Sequence, residues 1–120
     1  MTRPRSITVV AWIFIATGVV AIAADLWPLL TPGFAAQMAK LRSDGIVELS
    51  LAWGTRALAV VGGIHTLRGR NWARWLLAAW MVFHIVISLF QSAGEAAAHC
   101  AIFGLLAYLL FRRSVAPFFR

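Results

Sequence analysis

The sequence predicts an all-α integral membrane protein, a four-helix transmembrane bundle that forms one domain over residues 1–120. The first reason is composition: 62% of the residues are hydrophobic, 12% are charged and the mean hydropathy is +0.83. Soluble domains have about 45–50% apolar and about 25% charged residues. The second reason is pattern, because four apolar runs each reach the length of about 17–25 residues that crosses a bilayer. The third is that arginines gather where these runs end.

The basic residues predict the topology. A formal net charge of +7 and a pI of about 11.6 are compatible with nucleic-acid binding. The basic residues lie at the ends of the apolar runs, which favours a role in membrane topology instead, so we expect no nucleic-acid partner. Short loops rich in Lys and Arg stay on the cytoplasmic side of a membrane, which predicts that both termini are cytoplasmic. With four spans, eight of the eleven basic residues fall on that side: Arg3, Arg5, Arg68, Arg70, Arg74, Arg112, Arg113 and Arg120.

The first predicted span covers residues 7–27 and follows a basic start. The same features also fit a secretory signal, because Ala21-Ile22-Ala23 resembles a cleavage pattern. The apolar run is long for a signal and further spans follow it, so we expect a retained membrane anchor. Asp25 closes this span, and Trp27 is predicted at the membrane interface.

A short amphipathic helix is predicted over residues 32–44, between spans one and two. Thr31 and Pro32 are typical of a helix start. Phe34, Met38 and Leu41 recur at the spacing of one helical face, which favours a helix lying on the outer membrane surface. An amphipathic loop without lipid contact is the alternative.

Spans two, three and four are predicted over residues 46–67, 72–91 and 95–111. Their short connections make them antiparallel neighbours. Ala59 and Gly63 form a small-xxx-small pair, which allows another helix to approach closely. The arginines at the ends of these spans are predicted to set topology and to contact lipid headgroups: Arg68, Arg70, Arg74, Arg112 and Arg113.

Ionisable groups inside a bilayer are costly, so those within the spans mark a candidate site. Arg56 is predicted near the midplane, where its long side chain could pair with Glu48 or Asp25. Helical spacing places His84 on one face of span three and His99 on one face of span four. We therefore expect one polar cluster in the outer half of the bundle, formed by Glu48, Arg56, His84, Ser88, Gln91, Glu95 and His99.

Four interpretations of this cluster remain open. It could be structural, fixing helix register through hydrogen bonds and ion pairs. It could be a redox site, with two histidines ligating haem or with His and Arg holding a quinone headgroup. His84, Glu95 and His99 could bind a divalent metal. Glu48, Arg56 and His84 could relay protons or ions through an oligomer.

Parts of the chain resemble small uncharacterised four-span bacterial membrane proteins. The resemblance covers spans two to four and rests on Arg68–Trp75, Phe83–Ser88, His99 and Tyr108–Arg113. The topology is also similar to that of DoxX-like proteins, although no diagnostic motif of that family is matched. The resemblance implies a bacterial inner-membrane protein and leaves its activity open.

The functional prediction is a non-enzymatic, multi-pass protein of the bacterial cytoplasmic membrane. We expect an accessory or structural subunit that contacts membrane lipids and forms a homo-oligomer or joins a larger complex. The sequence contains no Gly-rich phosphate loop, GxSxG, HExxH or CxxC motif, which weakens hydrolase, nucleotide-binding and thiol-redox interpretations. A redox subunit with haem or quinone is the first alternative, and an oligomeric transporter is the second.

Overall fold

A computed structural model describes residues 2–36, 38–39 and 45–120. These residues form four long helices and no strand: α1 (Arg5–Leu26), α2 (Ile46–Leu67), α3 (Asn71–Leu89) and α4 (Ala93–Phe111). Short 3-10 segments cover Trp27–Leu30 and Ala116–Phe118. All four helices are long and apolar enough to cross a membrane. Helices of 19–22 residues are about 28–33 Å long, which matches a hydrocarbon core of about 30 Å.

The helices pack in chain order. Each one lies along the next, and α1 also meets α4 over a shorter length, which closes a four-helix bundle. Successive helices run in opposite directions, so the bundle has two distinct ends. We call one the basic end; it carries Arg3, the turn at 68–70 and residues 112–120. The far end carries the end of α1 and the starts of α2 and α4.

Only a small part of each helix faces the interior of the bundle. The core includes Ile7, Val10, Phe14, Leu77 and Leu110. In the most apolar window of each helix, 17–28% of the residues are buried, and the outward sides remain rich in large apolar side chains. Helices that are apolar all round are typical of a lipid environment. The chain therefore has the features of a multi-pass membrane protein.

Small residues set the contact between α1 and α2. A Cβ placed on Gly63 would lie 2.9 Å from the Ala11 carbonyl oxygen, and one on Gly18 would lie 2.9 Å from the Arg56 carbonyl oxygen. Ala59 is also buried. The close approach predicted from Ala59 and Gly63 is confirmed, and α1 is the helix that makes it.

The element boundaries differ slightly from those predicted. Span four begins at Ala93 rather than at residue 95, because the Ser92 hydroxyl accepts a hydrogen bond from the Glu95 N–H at 3.1 Å and caps the helix. Span one ends at Leu26 and span three at Leu89. Of the helix predicted over 32–44, residues 34–36 and 38–39 are helical, while 37 and 40–44 lie outside the described residues.

The C-terminal tail folds back over the turn between α2 and α3. The Arg120 N–H donates to the Gly69 carbonyl at 2.8 Å, and the Asn71 N–H donates to the Arg120 carbonyl at 2.9 Å. Nearby, the Arg74 guanidinium lies 5.0 Å from the ring centres of both Phe111 and Phe119. The C-terminal residues are thereby held beside the turn at the basic end of the bundle.

Candidate functional site

A cavity of about 360 Å³ lies among the four helices. Its wall is mainly apolar, and it opens between α1 and α4, where Ile13 and Ile102 are 44% and 56% exposed. In a membrane this opening would face the acyl chains. Residues of all four helices line it: Ile13, Phe14, Thr17, Gly18, Ala21, Arg56, Ala59, Trp80, His84, His99, Ile102, Phe103 and Leu106.

Arg56 reaches the cavity from α2 and forms an ion pair with Asp25 of α1. Gly18 packs against the Arg56 backbone, and Asp25 lies seven residues further along α1, which is about 10 Å. The Arg56 side chain therefore extends along α1 towards the far end. This resolves the predicted choice of partner in favour of Asp25, and Glu48 is exposed. The pair largely neutralises the charge in the cavity wall and leaves guanidinium N–H groups there as donors.

Both histidines present the same nitrogen to the backbone. His84 Nδ1 lies 3.0 Å from the Trp80 carbonyl oxygen, and His99 Nδ1 lies 2.8 Å from the Glu95 carbonyl oxygen. A carbonyl oxygen only accepts hydrogen bonds, so each Nδ1 carries the proton. In a neutral imidazole this leaves the Nε2 lone pair free. Both histidines that line the cavity therefore keep an Nε2 that can accept a hydrogen bond.

Trp80 joins all four helices in the wall of the cavity. Its indole N–H donates to the Thr55 carbonyl of α2 at 2.6 Å, and its ring meets Phe14 of α1 edge-on at 5.5 Å. The centre of the Trp80 ring also lies 3.9 Å from that of the His84 ring and 5.7 Å from that of the Phe103 ring of α4. These contacts hold the His84 ring in place and give the cavity an aromatic side.

The structure brings together three of the seven residues of the predicted polar cluster. Arg56, His84 and His99 line the one cavity. Ser88 is buried, but its hydroxyl donates to the Ile85 carbonyl at 2.8 Å and lies outside the lining. The other three are exposed and also lie outside it: Glu48, Gln91 and Glu95. They face outward because they stand at the helix ends, where water is available to their side chains.

The described residues do not form the arrangement that the metal site or the relay would need. Among the described residues, no three His, Cys, Asp or Glu side chains are grouped closely enough to hold a metal ion. The proposed relay also lacks its first member in the cavity, because Glu48 does not line it. The structural and redox interpretations both retain Arg56, His84 and His99, which line the same cavity.

Comparison with models of protein families, with curated proteins and with solved structures returned no match. The resemblance to small four-span bacterial membrane proteins and to the DoxX-like topology stays a prediction. The site is therefore interpreted from its own geometry.

Sequence reasoning missed the aromatic side of the site. The predicted cluster contained neither Trp80 nor Phe103. Each of the two lies four positions from a histidine of the site: Trp80 precedes His84, and Phe103 follows His99. Residues at this spacing share a helical face, and the Phe103 ring lies 5.3 Å from that of His99. That spacing was the available signal.

Proposed function

We propose that this chain is a membrane-embedded binding subunit whose cavity holds the ring of a lipid-soluble quinol or quinone. The observation that carries the proposal is that two histidines and one arginine line the same mainly apolar cavity, with each histidine Nδ1 bonded to a backbone carbonyl. Ligand sites are typically apolar cavities with a few convergent polar groups. A lipid-soluble ring compound would enter sideways from the membrane, between α1 and α4.

The polar groups favour the reduced form of such a compound. A quinol carries two hydroxyl donors, and each free Nε2 can accept one. Arg56 can donate to the ring oxygens of either form. The aromatic faces of Trp80 and Phe103 supply a stacking surface for the ring. We therefore propose that the quinol binds more tightly than the quinone.

The cavity volume argues for a single-ring headgroup over haem. Ligand pockets span about 300–1,000 Å³, and the volume of about 360 Å³ lies near the lower limit. One observation does favour haem as the second candidate. Histidines that ligate a metal commonly donate their other ring N–H to a carbonyl, as His84 and His99 do here.

Titration of the purified protein with a short-chain quinol tests the proposal. Trp80 lies in the cavity wall, so binding is expected to quench tryptophan fluorescence in a saturable way. His84→Leu and His99→Leu should each weaken binding at least about tenfold, because each loses one hydrogen bond in an apolar site. The dimethyl ether of the quinol has no hydroxyl donor. It should bind to the wild type as weakly as the quinol binds to these variants.

His65→Leu is the matched control for these variants. His65 lies near the basic end, where its ring packs 4.8 Å from that of Trp72 and does not line the cavity. Its replacement should leave quinol affinity unchanged. Equal loss in all three variants, or equal binding of the quinol and its ether, would contradict the site. A Soret band in the purified protein that His84→Leu removes would establish haem in its place.

We further propose a multi-pass location in the bacterial cytoplasmic membrane, with both termini in the cytoplasm. The support is the concentration of arginines at the basic end, together with the positive-inside rule. Reporters fused after Arg120 and within the 91–92 turn should give opposite signals, cytoplasmic for the first and external for the second. The reverse pattern would invert the bundle and contradict this topology.

The proposed role is that of an accessory subunit, in a larger membrane complex or as a homo-oligomer. The support is the extent of apolar surface that the four helices leave outside the bundle. Part of such a surface can bind other transmembrane helices and part can face lipid. Chemical cross-linking in native membranes, followed by mass spectrometry, should yield a discrete larger species. Recovery of the monomer alone would contradict the subunit role.

A further inference from the structure

A second pocket lies at the basic end, away from the central cavity. It has a volume of about 350 Å³ and is formed by the turn and the C-terminal tail: Arg68, Gly69, Arg70, Pro117, Phe118 and Arg120. Three of these six residues are arginines, and all three side chains are exposed. The pocket therefore has three positively charged side chains in its lining.

The backbone holds the tail against the turn. Two hydrogen bonds join Arg120 to the residues on either side of Arg70. Gly69 allows the tail to pack this closely on the turn. Its φ of +70° suits glycine, and a Cβ there would lie 2.7 Å from the Phe118 carbonyl oxygen. The three arginines are thus brought together by chain packing and not only by their closeness in sequence.

No acidic side chain of the described residues lines this pocket. The sequence has four acidic residues, of which Asp44 lies outside the described residues. Asp25 pairs with Arg56, while Glu48 and Glu95 lie at the far end. Helix α3 begins at Asn71, and the partial positive charge of its N-terminus adds to the charge of the arginines. The charged side chains that line the pocket are therefore all positive.

We propose that this pocket binds the phosphate of an anionic phospholipid headgroup. Guanidinium groups bind phosphate with paired, charge-assisted hydrogen bonds. The pocket lies where the apolar helices end, and Trp72 beside it is a residue type that favours the headgroup layer. Pro117 and Phe118 give the wall an apolar side, which suits the glycerol and upper acyl region of a lipid.

Native mass spectrometry of the purified protein with added phosphatidylglycerol tests the proposal. The wild type should retain phosphatidylglycerol in preference to phosphatidylcholine. Arg68→Gln combined with Arg70→Gln should weaken that retention at least about tenfold, because charge-assisted hydrogen bonds are lost. Arg3→Gln combined with Arg5→Gln is the control, since it removes two exposed charges at the same end but outside the pocket.

Gly69→Ala separates the pocket from general surface charge. It keeps every arginine but displaces the tail, so it should weaken phosphatidylglycerol retention about as strongly as the double variant. Circular dichroism should show unchanged helix content. Equal losses in the pocket and control pairs, with full retention in Gly69→Ala, would overturn the proposal. Displacement of the lipid by an equal concentration of inorganic phosphate would also overturn it, because the site would then recognise phosphate alone.

Discussion

Asp25→Asn is expected to lower the free energy of unfolding by about 3 kcal/mol, because it leaves the Arg56 charge without its partner inside the bundle. The two side chains are only 25% and 30% exposed, and Arg56 lies midway along α2. Arg56→Gln should cost less, because the remaining Asp25 carboxylate stands in the last turn of α1 and can reach water at the far end. Thermal or denaturant unfolding in a mild detergent measures both losses.

Combining Asp25→Asn with Arg56→Gln should recover most of the lost stability. The double variant contains no unpaired charge, and replacing both members of a buried pair by neutral groups is often close to neutral. Glu48→Gln is the matched control, since Glu48 is an exposed acid of the same end and should change stability little. If the double variant were as unstable as Asp25→Asn plus Arg56→Gln added together, the two residues would not be coupled.

Gly63→Leu is expected to separate α1 from α2 and to destabilise the protein by about 3 kcal/mol or more. Even the Cβ would lie 2.7 Å from Ile15 Cγ1 and 2.9 Å from the Ala11 carbonyl oxygen, and a backbone atom cannot rotate away. Gly18→Ala meets the Arg56 carbonyl oxygen in the same way. Because Gly18 lines the cavity, its replacement should also weaken quinol binding, which unfolding and fluorescence titrations together would detect.

Two other glycines supply the control for this packing argument. A Cβ on Gly54 or Gly104 would have no neighbour within 4 Å. Gly54→Ala and Gly104→Ala should therefore be neutral or stabilise their helices by about 0.5–1 kcal/mol. Destabilisation of all four glycine variants by the same amount would point to a general effect of helix composition and away from the α1–α2 contact.

Much of the helical framework could be predicted because its signals are local. The apolar run of 46–67 matches α2 at both ends, and the short turns at 68–70 and 90–92 leave room only for antiparallel neighbours. Boundaries moved where a single side chain decides them, as the Ser92 hydroxyl does for α4. The close contact at Gly63 was also predictable, because small residues four apart indicate a packed face.

The candidate site was predictable only in part. The high cost of ionisable groups in lipid identified Arg56, His84 and His99, and these do share a cavity. The same reasoning included Gln91 and Glu95, because it treated polarity and helical face alone. Their exposure depends on how far each lies from the helix end and on how the helices meet. Trp80 was missed because an aromatic residue in an apolar run looks the same whether it packs, faces lipid or lines a cavity.

The sequence by itself determined four apolar helices, their alternating direction and the collection of arginines at one end. These follow from the length of apolar runs and from charge position, which each segment carries independently of its neighbours. Only the tertiary structure decided that Arg56 pairs with Asp25, that Trp80 joins all four helices and that the tail covers the Gly69 turn. Such contacts depend on how each helix is rotated about its axis and shifted along its neighbour, and the packing of the whole bundle sets both quantities.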